Sequence, residues 1–189
     1  MRISFIPSVG AFAATTMASP VFAHPGHEGG SFSAGLTHPV TGLDHLVMLI
    51  AFGMLTACLS VSWRGKATLM LAALATLLLG LSAGKVFGGF GGVELAIGAS
   101  LFVVSGAIWQ SFNRSKPLLN LAVGLSVGLM FFHGYAHGVE STGSVLPFAS
   151  GMLTAAAGLM VLGLQFGRAL SSPWLSVGVA SASALILLP

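Results

Sequence analysis

Six apolar segments, at roughly 43–62, 67–84, 92–110, 118–137, 145–167 and 173–188, fill the chain from residue 43 onward. Segments of about 17 to 25 such residues cross a bilayer as α-helices, because a helix satisfies its own backbone hydrogen bonds. No alternating strand pattern competes. Only 6% of the 189 residues are charged while 55% are hydrophobic, too few charges to cover a water-soluble surface. The expected fold class is therefore an all-α membrane protein, a bundle of six transmembrane helices over residues 43–189. The length leaves no room for a separate soluble catalytic domain.

Ahead of the bundle, residues 1–23 read as a cleavable signal peptide. Arg2 supplies the charge, Ile3 to Met17 an apolar region and Val21-Phe22-Ala23 a cleavage site. Residues 24–42 then form an extracytoplasmic tail and loop beginning His24-Pro25-Gly26-His27-Glu28.

The net charge is +3, but the basic residues stand singly between apolar runs, which argues against nucleic acid and for membrane topology. Arg64 and Lys66 separate the first two segments, Arg114 and Lys116 the third and fourth, and Arg168 the last two. After cleavage only Lys85 falls on the other side. By the positive-inside rule this predicts a multi-pass protein of the bacterial inner membrane with both mature termini periplasmic. Trp63, Trp109 and Trp174 all fall at the expected cytoplasmic ends, where interfacial aromatics belong. Glycines four apart (Gly80 and Gly84, Gly124 and Gly128, Gly134 and Gly138, Gly163 and Gly167) predict close helix crossings.

On this topology every mature-chain histidine and carboxylate lies at the periplasmic end. His38, Asp44 and His45 stand at the start of the first segment, Glu94 opens the third, and His133, His137 and Glu140 close the fourth; His24 and His27 are accessory positions in the tail. Ionisable groups at membrane depth are costly and point to function. Imidazoles with carboxylates suit a divalent metal such as nickel, cobalt, zinc or copper. His133 and His137, at i and i+4, share a helix face, which Glu140 extends if the helix continues past Gly138. Met48 shares a face with Asp44. Structural readings stand beside these: Thr41 and Asp44 fit a capping box, Glu94 suits a helix N-terminus, His38 precedes Pro39 in a loop, and Glu140 suits a solvated loop. The inner half of the bundle offers only Thr56, Ser60, Ser105 and Gln110 as polar path residues.

The stretch His38-Pro39-x-x-Gly42-Leu43-Asp44-His45, followed by Met48 and Gly53, resembles the HupE/UreJ family of bacterial membrane proteins. So do Phe132-His133-Gly134-Tyr135-Ala136-His137-Gly138, the His-rich mature start and the six-segment layout. The resemblance implies a secondary permease for nickel, with cobalt in some members, that supplies hydrogenase or urease maturation. It maps His38, Asp44 and His45 onto the motif that handles the metal. The partners it implies are the metal ion itself, the lipid bilayer and metallochaperones of hydrogenase or urease assembly. A transported Ni2+ then takes the place of a prosthetic cofactor, and no catalytic residue is expected. Two other readings share the same residues. One is a metal-binding accessory or sensor without transport. The other is an intramembrane metal hydrolase, for which the H-E-x-x-H motif is missing because Gly134 stands where its Glu would be.

Overall fold

The computed structural model describes residues 30–188 apart from Arg114 and Thr142; the expected signal peptide, His24 and His27 lie outside the described residues. These residues form seven α-helices and no strand: α1 (Phe32–Thr41), α2 (Leu43–Cys58), α3 (Trp63–Phe87), α4 (Val93–Ser111), α5 (Lys116–Glu140), α6 (Val145–Leu170) and α7 (Trp174–Leu187). Each of the six apolar segments is one helix, α2 to α7, with ends shifted by a few residues.

α3, α4, α5 and α6 are each long and apolar enough to cross a membrane, and α1 with α2 makes a fifth if that bent pair is one span. The protein is thus a multi-pass helical membrane protein. α7, at 14 residues, is about 21 Å long, short of a hydrocarbon core of about 30 Å. Length alone therefore does not make it a sixth crossing.

One helix departs from the sequence reading. Residues 32–41, expected within a tail and loop, are helical, and His38 lies on that helix. Ser31 caps α1, its side chain accepting from the Ala34 N–H at 3.1 Å. Pro39 sits near the C-terminal end, and the chain leaves the helix at Gly42 in an extended conformation. α2 then departs at 82° to α1. Gly42 itself is the N-cap of α2, without a side-chain cap bond. The expected capping box does not form: the Thr41 hydroxyl donates back to the His38 carbonyl at 3.0 Å, and the Asp44 carboxylate turns to His45.

Glycine sets the helix crossings. A Cβ on Gly80 or Gly84 would overlap the Phe131 and Tyr135 carbonyls, and one on Gly134 or Gly138 those of Leu77 and Leu81. Two of the expected pairs are therefore the two halves of one α3–α5 crossing. Gly53 meets the Met160 carbonyl and Gly163 that of Ile50, bringing α2 against α6 in the same way, with Gly167 beside Met54. Gly35 and Gly151 join α1 to α6. Small residues let membrane helices approach until backbone meets backbone, where packing is the main attraction. The remaining expected pair fails: Gly124 and Gly128 face open space.

The crossings place the ionisable groups. Each histidine of α5 is followed by a glycine that docks on α3. Successive residues are about 100° apart round a helix, so fixing Gly134 and Gly138 against α3 turns His133 and His137 toward the inside of the bundle. The other end carries Trp63, Trp109 and Trp174, all exposed. There Arg168 lies 5.3 Å from the Trp63 ring centroid and Lys66 Nζ donates to the Ala57 carbonyl at 2.7 Å. Lys85, at the histidine end, donates to the Ser141 carbonyl at 2.6 Å.

Candidate metal centre

Four histidines from three helices meet at the α1–α2 bend. The His38 ring centroid lies 4.3 Å from that of His137, which lies 4.2 Å from that of His45; His45 is in turn 4.7 Å from His133. With the carboxylates they make two triads. One is Asp44, His45 and His133; the other is His38, His137 and Glu140. Within each, one ligand atom per residue lies within 4.8 Å of the others. α5 runs unbroken through Gly138 to Glu140, so His133, His137 and Glu140 share one face. Glu94, exposed in the first turn of α4, belongs to neither triad; the positive end of the helix dipole accounts for an acid there.

Hydrogen bonds orient some ring atoms and leave others bare. A carboxylate oxygen only accepts, so His45 Nδ1 donates to Asp44 Oδ1 at 2.9 Å. Its Nε2 lies 3.4 Å from the His133 carbonyl oxygen, which can only accept, so the contact is a long hydrogen bond with Nε2 as the donor. His133 Nε2 lies 2.8 Å from the Ser100 hydroxyl of α4. Buried polar atoms nearly always have partners, yet His133 Nδ1 and both ring nitrogens of His137 have none. These rings are 1% and 2% exposed, so open water does not serve them. Bare imidazole nitrogens beside carboxylates are donor types that could hold a divalent cation.

The centre opens to one side. Glu140 is exposed, and the Asp44 side chain keeps 27% of its exposure against 10% for His45. Toward the basic end the core closes. Met48, one turn along α2 from Asp44, and Met130, just before His133 on α5, are fully buried with Phe52, Leu101 and Met152. Two hydroxyls expected along an inner path are committed to backbone: Thr56 Oγ1 donates to the Phe52 carbonyl at 2.8 Å, and Ser105 Oγ to the Ser176 carbonyl at 2.7 Å.

Fold and centre together define a class, a multi-pass helical membrane protein with a histidine–carboxylate cluster set into one end of its bundle. The HupE / UreJ protein family matches residues 12–187, and the chain belongs to that family. It is 29% identical to Protein HupE of Rhizobium leguminosarum bv. viciae over 168 residues, covering 83% of each chain. No solved structure matches it.

Ser100 escaped the sequence reading. It is one hydroxyl within an apolar helix, 33 positions from the histidine it touches, and no local pattern singles it out.

Proposed function

We propose that the protein is a secondary permease for Ni2+, with Co2+ as the other candidate ion, in the bacterial inner membrane. Both termini and the histidine end face the periplasm in this reading, and the exposed tryptophans and Arg168 face the cytoplasm. The single observation that carries it is the ring of His137: buried, with two unpartnered nitrogens, between imidazoles of α1 and α2 and beside a carboxylate. A purely structural histidine would be hydrogen-bonded.

The tail imidazoles His24 and His27 raise the local ion concentration. Glu140 and His38 receive the ion at the exposed mouth, and Asp44, His45 and His133 hold it deeper. The carboxylates offset part of the cost of holding a dication away from water. The apolar floor below blocks onward movement in this conformation. Inward release therefore requires the helices to shift, as in alternating access, with the close glycine crossings as the surfaces that slide or rock. Metallochaperones of hydrogenase or urease assembly would take up the ion on the cytoplasmic side.

The test is metal accumulation in bacterial cells lacking their own nickel uptake, comparing this protein with His45→Ala and His133→Ala at matched membrane expression. Nickel, cobalt, zinc and copper are each supplied at limiting levels. Accumulation of one ion that both substitutions abolish is the expected result. Binding without accumulation would make the protein an accessory or sensor instead.

A further inference from the structure

We infer that Ser100 is a positioning residue that fixes the tautomer of His133, holding the ring proton on Nε2 so that Nδ1 presents its lone pair to the metal. The inference rests on the reading of the histidine cluster as a metal site, and adds to it which atom of His133 binds and what selects that atom.

Proton counting carries the argument. A serine hydroxyl has one proton to give. Ser100 Oγ lies 2.6 Å from the Ile97 carbonyl oxygen, which can only accept, so the proton lies on that line. The hydroxyl's remaining lone pairs face His133 Nε2 at 2.8 Å. Nε2 must then be the donor. A neutral imidazole carries one ring proton, so Nδ1 is left bare, and Nδ1 is the atom of His133 without a partner. Reversing the bond, with Ser100 donating to Nε2, would leave two oxygens facing each other at 2.6 Å with no proton between them. Ser100 is fully buried, so bulk water does not relieve that repulsion.

The same logic repeats on the neighbouring ring. Asp44 Oδ1, an acceptor, likewise fixes a proton on His45 Nδ1. Ser100, on α4, is thus an outer partner of the deeper triad, whereas the carboxylate that orients His45 belongs to the triad itself. Such outer-shell partners fix ring orientation and tautomer, and their loss typically lowers metal affinity by about 10- to 100-fold.

The test uses the full-length protein in nanodiscs, with 15N-histidine labelling and no metal, at alkaline pH where neutral imidazole dominates. His133 is assigned by its loss in His133→Ala. The wild type is expected to show His133 protonated on Nε2. Ser100→Ala is expected to lose that state and to bind Ni2+ about 10- to 100-fold more weakly by calorimetry. Ser100→Thr, which keeps a hydroxyl on the same carbon, is expected to preserve both. A wild-type His133 protonated on Nδ1 would overturn the inference, as would a Ser100→Ala spectrum identical to wild type or a Ser100→Thr protein that behaves like Ser100→Ala. A wild type with the Nε2 proton in place that binds no Ni2+ would instead overturn the metal-site reading and leave the tautomer assignment standing.

Discussion

The rings of His45 and His137 lie 4.2 Å apart although one stands at the first turn of α2 and the other in the last turn of α5. Each belongs to a different triad, so the two triads abut and an ion held in one would alter the field in the other. His45→Ala and His137→Ala are each expected to weaken Ni2+ binding by on the order of tenfold, about 1.4 kcal/mol. The double variant should lose less than the sum, because residues in one network are coupled. Calorimetry on the four proteins checks this; strictly additive losses would mean two independent stations.

The α3–α5 crossing makes a paired prediction. Gly134→Ala drives a methyl group into the Leu77 carbonyl, a backbone atom that cannot rotate away, whereas Gly128→Ala enters open space. The first should cost about 1–3 kcal/mol and move the His133 face; the second should cost nothing measurable. Thermal unfolding in detergent followed by tryptophan fluorescence distinguishes them. Equal stabilities would show that the crossing is looser than the structure has it.

Gly42 is held by the site rather than by its backbone. Its φ of −84° suits any residue, but a Cβ would lie 3.2 Å from His45 Nδ1 and 3.3 Å from Asp44 Oδ1. Gly42→Ala should therefore shift the Asp44–His45 pair and reduce metal affinity by about tenfold, while overall stability changes by less than about 1 kcal/mol. A variant with unchanged affinity would mean that the pair moves aside without consequence.

The two acids at the histidine end should separate in function. Glu140 joins a triad and Glu94 joins none. Glu140→Gln should lower metal uptake by on the order of tenfold. Glu94→Gln, which removes an exposed charge, should change it by about twofold or less. Initial uptake rates at matched expression decide the point, and a reversed order would move the ion's entry route toward α4.

The apolar runs by themselves determined the helices, because a backbone in lipid is satisfied only in helices or closed barrels and the runs lack the alternation of barrel strands. The motif spacing placed His133, His137 and Glu140 on one face, since that depends only on helical periodicity. Three of the four glycine pairs also pack as their spacing suggests. The fourth does not, because the same spacing serves equally on a face that no helix covers. α1 was not legible: a ten-residue helix containing Pro39 carries a weak local signal, and its packing on α6 through Gly35 and Gly151 makes it.

What only the tertiary structure decided is which polar atoms meet. The sequence could put the histidines at one end of the bundle, but not show that His38 reaches His137, that Glu94 stands apart, or that Ser100 holds His133. Those facts depend on the rotation and depth of each helix, and carbonyls pressed against glycines on distant segments set both. A sequence records which residues allow such contacts; which partners fill them is settled when the helices pack.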